Sequence, residues 1–156
     1  MLKLRAWNES DSVFVCYLRN NPENYRWYRQ DKPISLKEQK QFIRKNIDYH
    51  GYIVEENNKP IGIAALKYVE DGFGICDSYS PAELCLVQEK FNPKILDRLF
   101  ELEKPSYVFA PVFAKNPILK DLLNYGFTVR KIEERAYWKK DQGFVDTITL
   151  ELKCEY

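Results

Sequence analysis

Histidine is almost missing from this sequence: His50 is the only one in 156 residues. It stands in no ligand pattern and reads as a surface residue, so a His-based nucleophile or a metal site is not expected. Excess charge of one sign is missing too. The chain carries 24 Lys and Arg against 23 Asp and Glu, a formal net charge of +1. That balance gives no support to a general nucleic-acid or membrane-surface role, so neither partner is expected. No apolar run approaches a membrane span, and Met1-Leu2-Lys3-Leu4-Arg5 is no secretory signal. The four cysteines, Cys16, Cys76, Cys85 and Cys154, form no CxxC pair and no metal spacing. Cys85 lies in an apolar run, where cysteine acts as a small hydrophobe. A reduced, cytoplasmic protein is the expectation. Internal repeats, low-complexity runs and linkers are also absent. Residues 1–156 are therefore read as one domain, a size that can bury a sizeable core.

Aromatic residues are plentiful, at 15%, and crowd into residues 22–34. Tyr25, Trp27 and Tyr28 there alternate with Arg26 and Arg29. Rings beside guanidinium groups can stack on planar or sugar-like ligands and pair with phosphates. The alternative is that the rings only cover a sheet and leave the arginines in solvent.

Residues 106–129 give the clearest local pattern. Tyr107 to Phe113 reads as a buried strand. Asn116 caps a short helix with Pro117 in its first turn, where a missing N–H costs nothing. Ile118, Leu119, Leu122 and Leu123 fall on one apolar helical face. Gly126 suits the left-handed residue after a helix, and Thr128-Val129 restarts a strand.

Upstream, Leu2 to Trp7 alternates as a first strand. Asn8 or Ser10 caps the next helix, with Val13, Phe14, Tyr17 and Leu18 expected on its buried face. Ser35-Leu36-Lys37-Glu38 is a capping box opening a helix with Leu36, Phe42, Ile43 and Ile47 inward. Tyr52 to Glu55 and Ile61 to Leu66 are strands around an Asn57-Asn58-Lys59-Pro60 turn. Gly62 suits a place where another backbone comes close. Asp71-Gly72 is a hairpin turn, and Phe73 to Ile75 is a short strand or an ordered loop. Ala82 to Val87 is a strand, Gln88 to Phe91 a loop, and Asn92-Pro93 a helix start, with Ile95, Leu96, Leu99, Phe100 and Leu102 apolar. Ala136-Tyr137-Trp138 is a strand or a strand end, and Val145 to Leu152 is the last strand.

This order of strands and helices resembles the GCN5-related N-acetyltransferase (GNAT) family. Three stretches carry the resemblance: the strand, Asn-capped helix and Gly126-Phe127 unit, the YIVEENNKPIGIAAL hairpin, and the Arg19-Asn20 N-terminal half. It implies an α+β fold with a GNAT-like mixed central sheet of six to seven strands flanked by about four helices. It implies acetyl-CoA as co-substrate, with no metal. The strand AELCLV is similar to the family strand whose following loop binds the CoA pyrophosphate through free backbone N–H groups and a helix N-terminus. By that resemblance Leu86, Val87, Gln88, Lys90, Asn92, Lys94 and Asn116 are the expected cofactor contacts. Glu83, beside the expected thioester, is the candidate base; its other reading is an exposed strand residue. Tyr25, Trp27, Tyr28 and Arg29 fall where the family forms its acceptor site.

The chain departs from the pattern at two places. Asn92, Pro93, Lys94 and Ile95 replace the family's glycine-containing loop. Pro93 removes a donor, and Ile95 adds bulk where glycine admits phosphate. Leu122 stands where many members place a tyrosine that protonates the leaving thiolate, a group that already leaves fairly well at neutral pH. The expected function is transfer of an acyl group to a primary amine on a small molecule, with a nucleotide-linked amino sugar as first acceptor. The rival is a GNAT-fold binding module that has lost CoA-dependent activity, and a third reading keeps the chemistry with another donor. Either a monomer or a homodimer is expected.

Overall fold

The computed structural model describes residues 1–46, 48–69, 81–88 and 90–156. Among these residues seven strands form one mixed sheet: Leu2–Ala6 (β1), Tyr49–Glu56 (β2), Lys59–Tyr68 (β3), Ala82–Gln88 (β4), Tyr107–Phe113 (β5), Thr128–Lys139 (β6) and Gly143–Lys153 (β7). Their order is β1-β2-β3-β4-β5-β7-β6. β4 and β5 run parallel, and the other neighbours are antiparallel. The helices are Ser12–Asn20 (α1), Pro22–Tyr25 (α2), Leu36–Lys45 (α3), Pro93–Glu103 (α4) and Ile118–Tyr125 (α5). A 3-10 turn at Glu9–Asp11 leads into α1. This is the expected element order, with the short α2 added.

Alternation along the strands divides the core between two faces. Val15 and Leu18 of α1 pack on Ile53, Ile63 and Val87. On the opposite face Ile95, Leu96, Leu99 and Phe100 of α4, with Leu122 of α5, pack on Leu84, Leu86, Val108, Ala110 and Val112. α3 packs on α1.

Local chemistry accounts for the element ends. Asn8 Oδ1 accepts from Ser10 N at 2.9 Å, and Asn8 N donates to Asp11 at 2.9 Å. The Ser35 and Glu38 capping box closes as expected, at 3.1 and 3.0 Å. Asn57 and Asn58 both take positive φ, 52° and 65°, the twist that a two-residue hairpin turn needs. Gly126, at φ 132°, ends α5.

Helical phase is where the structure corrects the sequence. In α1 Val13 and Tyr17 are 66% and 70% exposed, and Ser12, Val15, Cys16 and Leu18 are buried. The 3-10 turn before α1 shifts its frame, and Ser12 lies inward without any apolar signal. In α3 Leu36 is exposed and Gln39 is buried. Leu102 and Leu123 also face solvent. Ile47, the Asp71-Gly72 turn, the Phe73 to Ile75 stretch, Cys76 and Glu89 lie outside the described residues.

Gly62 fulfils its expectation. A Cβ there would stand 2.7 Å from the Val87 carbonyl oxygen on β4. Neither backbone can yield without disturbing the β3–β4 ladder. Gly62→Ala should therefore destabilise the fold by roughly 1–3 kcal/mol, read as a lower melting temperature. An unchanged melting temperature would contradict this packing.

Candidate functional site

β4 and β5 pair at only two positions, Ala82 with Val108 and Glu83 with Phe109. β4 nevertheless continues to Gln88 beside β3, and β5 to Phe113 beside β7. The two strands therefore part, and their inner backbone edges face each other across a gap. Pro111 lies in β5 past the last shared pair. A proline cannot donate to a ladder and is tolerated where a strand has a free edge. Buried edge groups need other partners. One is supplied by Tyr28, whose hydroxyl donates to the Leu86 carbonyl oxygen.

The gap opens into a cleft of about 1220 Å³. Register shows that it passes through the sheet. Glu83, Cys85, Phe109, Pro111, Phe113, Thr147 and Thr149 line it on the α1 face. On the other face it meets Leu84, Leu86, Ala110 and Val112, with Asn116, Ile118 and Leu122. Burial raises the Tyr28 and Tyr49 hydroxyls well above the usual tyrosine range. It also raises the Cys85 thiol, which the neighbouring Tyr49 hydroxyl partly offsets. Cys85 is thus a protonated wall residue and not a thiolate nucleophile.

Of the residues singled out in the sequence, the cleft brings together Glu83, Leu86, Val87, Asn116, Trp27, Tyr28 and Arg29. Asn116 also caps α5, its Oδ1 accepting from Ile118 N at 3.1 Å. Tyr25 is not among the lining residues; its ring lies 5.9 Å from Lys139 Nζ. Gln88, Lys90, Asn92 and Lys94 also stand outside the cleft lining, at the end of β4 and the start of α4. Both polar atoms of the Gln88 amide are buried without a partner.

The start of α4 has few spare donors. Pro93 has no N–H, Lys94 N donates to Asn92 Oδ1 at 3.0 Å, and Ile95 N donates to Asn92 O at 3.0 Å. Ile95 is 1% exposed and belongs to the α4 core face, away from the gap. The open β4 and β5 edges fit an amide-bearing arm such as pantetheine. The α4 end offers a pyrophosphate Lys90, Lys94 and a positive helix terminus, with its first N–H groups already engaged.

Sequence reasoning passed over the residue that shapes the wall of the cleft bearing Trp27, Tyr28 and Arg29. Lys139 is 3% exposed. Its Nζ donates to the carbonyl oxygens of Tyr25, Tyr28 and Gln30 at 3.1, 2.7 and 2.5 Å, and lies 3.4 Å from Asp31 Oδ1. Tyr137 donates to Arg29 O at 2.8 Å, and Gln142 to Arg26 O at 2.9 Å. The β6–β7 hairpin thus grips the segment bearing Trp27, Tyr28 and Arg29. Nothing in the local sequence marks Lys139, because its partners lie more than a hundred residues away.

No protein-family model and no curated protein matches the chain. Solved structures do. A Vibrio cholerae spermidine N-acetyltransferase in complex with CoA and spermine superposes with a TM-score of 0.81 at 19% identity, covering 97% of this chain and 95% of that one. A ribosomal-protein-alanine N-acetyltransferase from Brucella melitensis gives 0.80 at 16%, covering 97% and 99%. A putative acetyltransferase from Salmonella typhimurium, with its cofactor acetyl-CoA, gives 0.78 at 17%, covering 99% and 94%. The chain has the fold of the GNAT acetyltransferases.

Replacing Lys139 with Met would leave three carbonyls without their shared donor. Amide hydrogen exchange in residues 25–31 should then speed up by about tenfold or more, with β1 to β3 unchanged. A uniform change across the whole chain would mean that Lys139 serves global stability instead.

Proposed function

We propose that this protein is an N-acyltransferase that moves an acyl group from acetyl-CoA to a primary amine. The observation that carries this reading is the parting of β4 and β5 into a cleft that crosses the sheet. Such a passage lets two substrates approach one point from opposite faces, which direct transfer between them requires. Acetyl-CoA, when bound, supplies an activated thioester. Leu86 offers its backbone N–H along the gap, Val87 lines the cleft, and Asn116 lines the face next to α5. Lys90, Lys94 and Asn92 provide the positive end of α4. Tyr28, from the α1 side, holds the Leu86 carbonyl.

Glu83 is assigned as the base. It sits at the last shared β4–β5 pair, where the gap begins, and is half-buried within the cleft. An amine must lose a proton to attack, and Glu83 is placed to accept it directly or through water. Trp27, Tyr28 and Arg29 form the acceptor wall, with a nucleotide-linked amino sugar the first acceptor to test. No helix among the described residues is long and apolar enough to cross a membrane. Cys16, Cys85 and Cys154 are free thiols, in keeping with a reducing cytoplasm.

The second reading, a binding module without CoA-dependent activity, draws on Pro93 and the engaged N–H groups of α4. Thermal melting separates the two. Acetyl-CoA at a hundred times its dissociation constant stabilises a specific binder by about 2.7 kcal/mol. The transferase reading predicts that rise in both the native protein and Glu83→Gln. Turnover in the variant should fall about a hundredfold or more. No rise at high acetyl-CoA concentration would leave the module reading or a different donor.

A further inference from the structure

The charges on the two faces of the cleft are unequal. On the α5 side Asn116, Ile118 and Leu122 carry none. The ionisable lining gathers towards α1, the 25–32 segment and the outer strands; among the described residues it holds six Lys or Arg against three Asp or Glu. Two of those acids are already engaged. Asp31 lies 3.4 Å from Lys139, and Glu133 lies 3.2 Å from Lys131. Glu83 is the third, and register places it directly across from Lys67.

The cations are less well matched. Arg19 donates to the neutral Gln39 Oε1 at 2.9 Å. Arg29 lies over the Tyr137 ring at 5.4 Å, and that ring stacks on Phe113 at 6.1 Å. Neither Arg29 nor Lys67 has a carboxylate partner among the described residues. Phe113 stands opposite Thr147 in the β5–β7 register. Thr147 is 5% exposed and lines the cleft, and its Oγ1 has no hydrogen-bond partner. An uncommitted buried hydroxyl and an arginine on an aromatic platform next to it make a receptive place for an oxyanion.

We propose that the acceptor amine carries a negatively charged oxyanion, a phosphate or a carboxylate, which Arg29 holds beside Thr147 in a cleft whose α1 face also carries Arg19 and Lys67. This rests on the transferase reading and is wider than the nucleotide-linked sugar named there, since it needs no nucleobase. The CoA phosphates do not account for these cations. In the GNAT resemblance they belong at the start of α4, which packs on the opposite face. A polyamine is disfavoured, because its ammonium groups would meet these cations while the Asp31 and Glu133 carboxylates are already engaged.

Four amines with acetyl-CoA held constant test the proposal: glucosamine, glucosamine 6-phosphate, muramic acid and spermidine. Release of the CoA thiol gives kcat/KM for each. At least one anionic sugar should exceed glucosamine by about tenfold or more, with spermidine lowest. Whichever anionic sugar leads identifies phosphate or carboxylate as the recognised group. Arg29→Gln should cut the preferred anionic sugar by about tenfold through KM and leave KM for acetyl-CoA within about twofold. Equal efficiencies, or spermidine in the lead, would overturn the proposal while the transferase reading stands. If no amine is acetylated, calorimetric titration with glucosamine 6-phosphate and with glucosamine, without acetyl-CoA, decides the matter. Heat from the phosphate alone upholds the anionic subsite although the transferase reading has failed. No heat from either overturns it.

Discussion

A parallel strand pair that shares only two register positions leaves both strands with unanswered backbone groups inside a sheet. β4 keeps β3, β5 keeps β7, and between them the ladder stops after Glu83 and Phe109. Unpaired N–H and C=O groups in the interior are costly unless something else meets them. The rest of the structure is built around that constraint. Tyr28 reaches in from the α1 side to meet the Leu86 carbonyl. Pro111 removes one N–H from β5 altogether. α5 follows β5 closely through the Asn116 cap and sets Leu122 against the opening.

The wall of the cleft that bears Trp27, Tyr28 and Arg29 depends on a second device. A buried lysine is expensive unless its charge is well solvated by the protein. Lys139 is surrounded by three carbonyl oxygens and a nearby carboxylate, much as a bound cation would be. Its partners are the backbone of the segment that carries Trp27, Tyr28 and Arg29. The hairpin at the far edge of the sheet therefore fixes the wall of a cleft at its centre. The link runs from a long-range ion contact, through loop conformation, to the shape of the cleft.

Much of the fold was legible because strands announce themselves by alternation and helices by caps. The Ser35 box, the Asn57-Asn58 turn, Gly62 and Gly126 each named a local requirement that the structure fulfils. Helix phase was less legible. The apolar residues Val13, Tyr17, Leu36 and Leu123 face solvent, and Ser12 and Gln39 are buried in place of apolar neighbours. Most of the cleft was reachable through Glu83, Leu86, Val87, Asn116 and the aromatic segment. Pro111 was the overlooked signal, since a proline within an apolar strand implies a free edge. Lys139, Lys67 and Thr147 had no local signature, because their meaning comes from strand register and from contacts distant in sequence.

The central claim is that the β4–β5 gap receives the pantetheine arm of CoA. Amide hydrogen exchange with and without CoA tests it at the backbone itself. Binding should slow exchange along 84–88 and at 112–113, the segments that border the gap, and leave the β1–β2 and β6–β7 ladders as they were. Unchanged exchange at the gap under saturating CoA, or protection confined to another part of the chain, would contradict it.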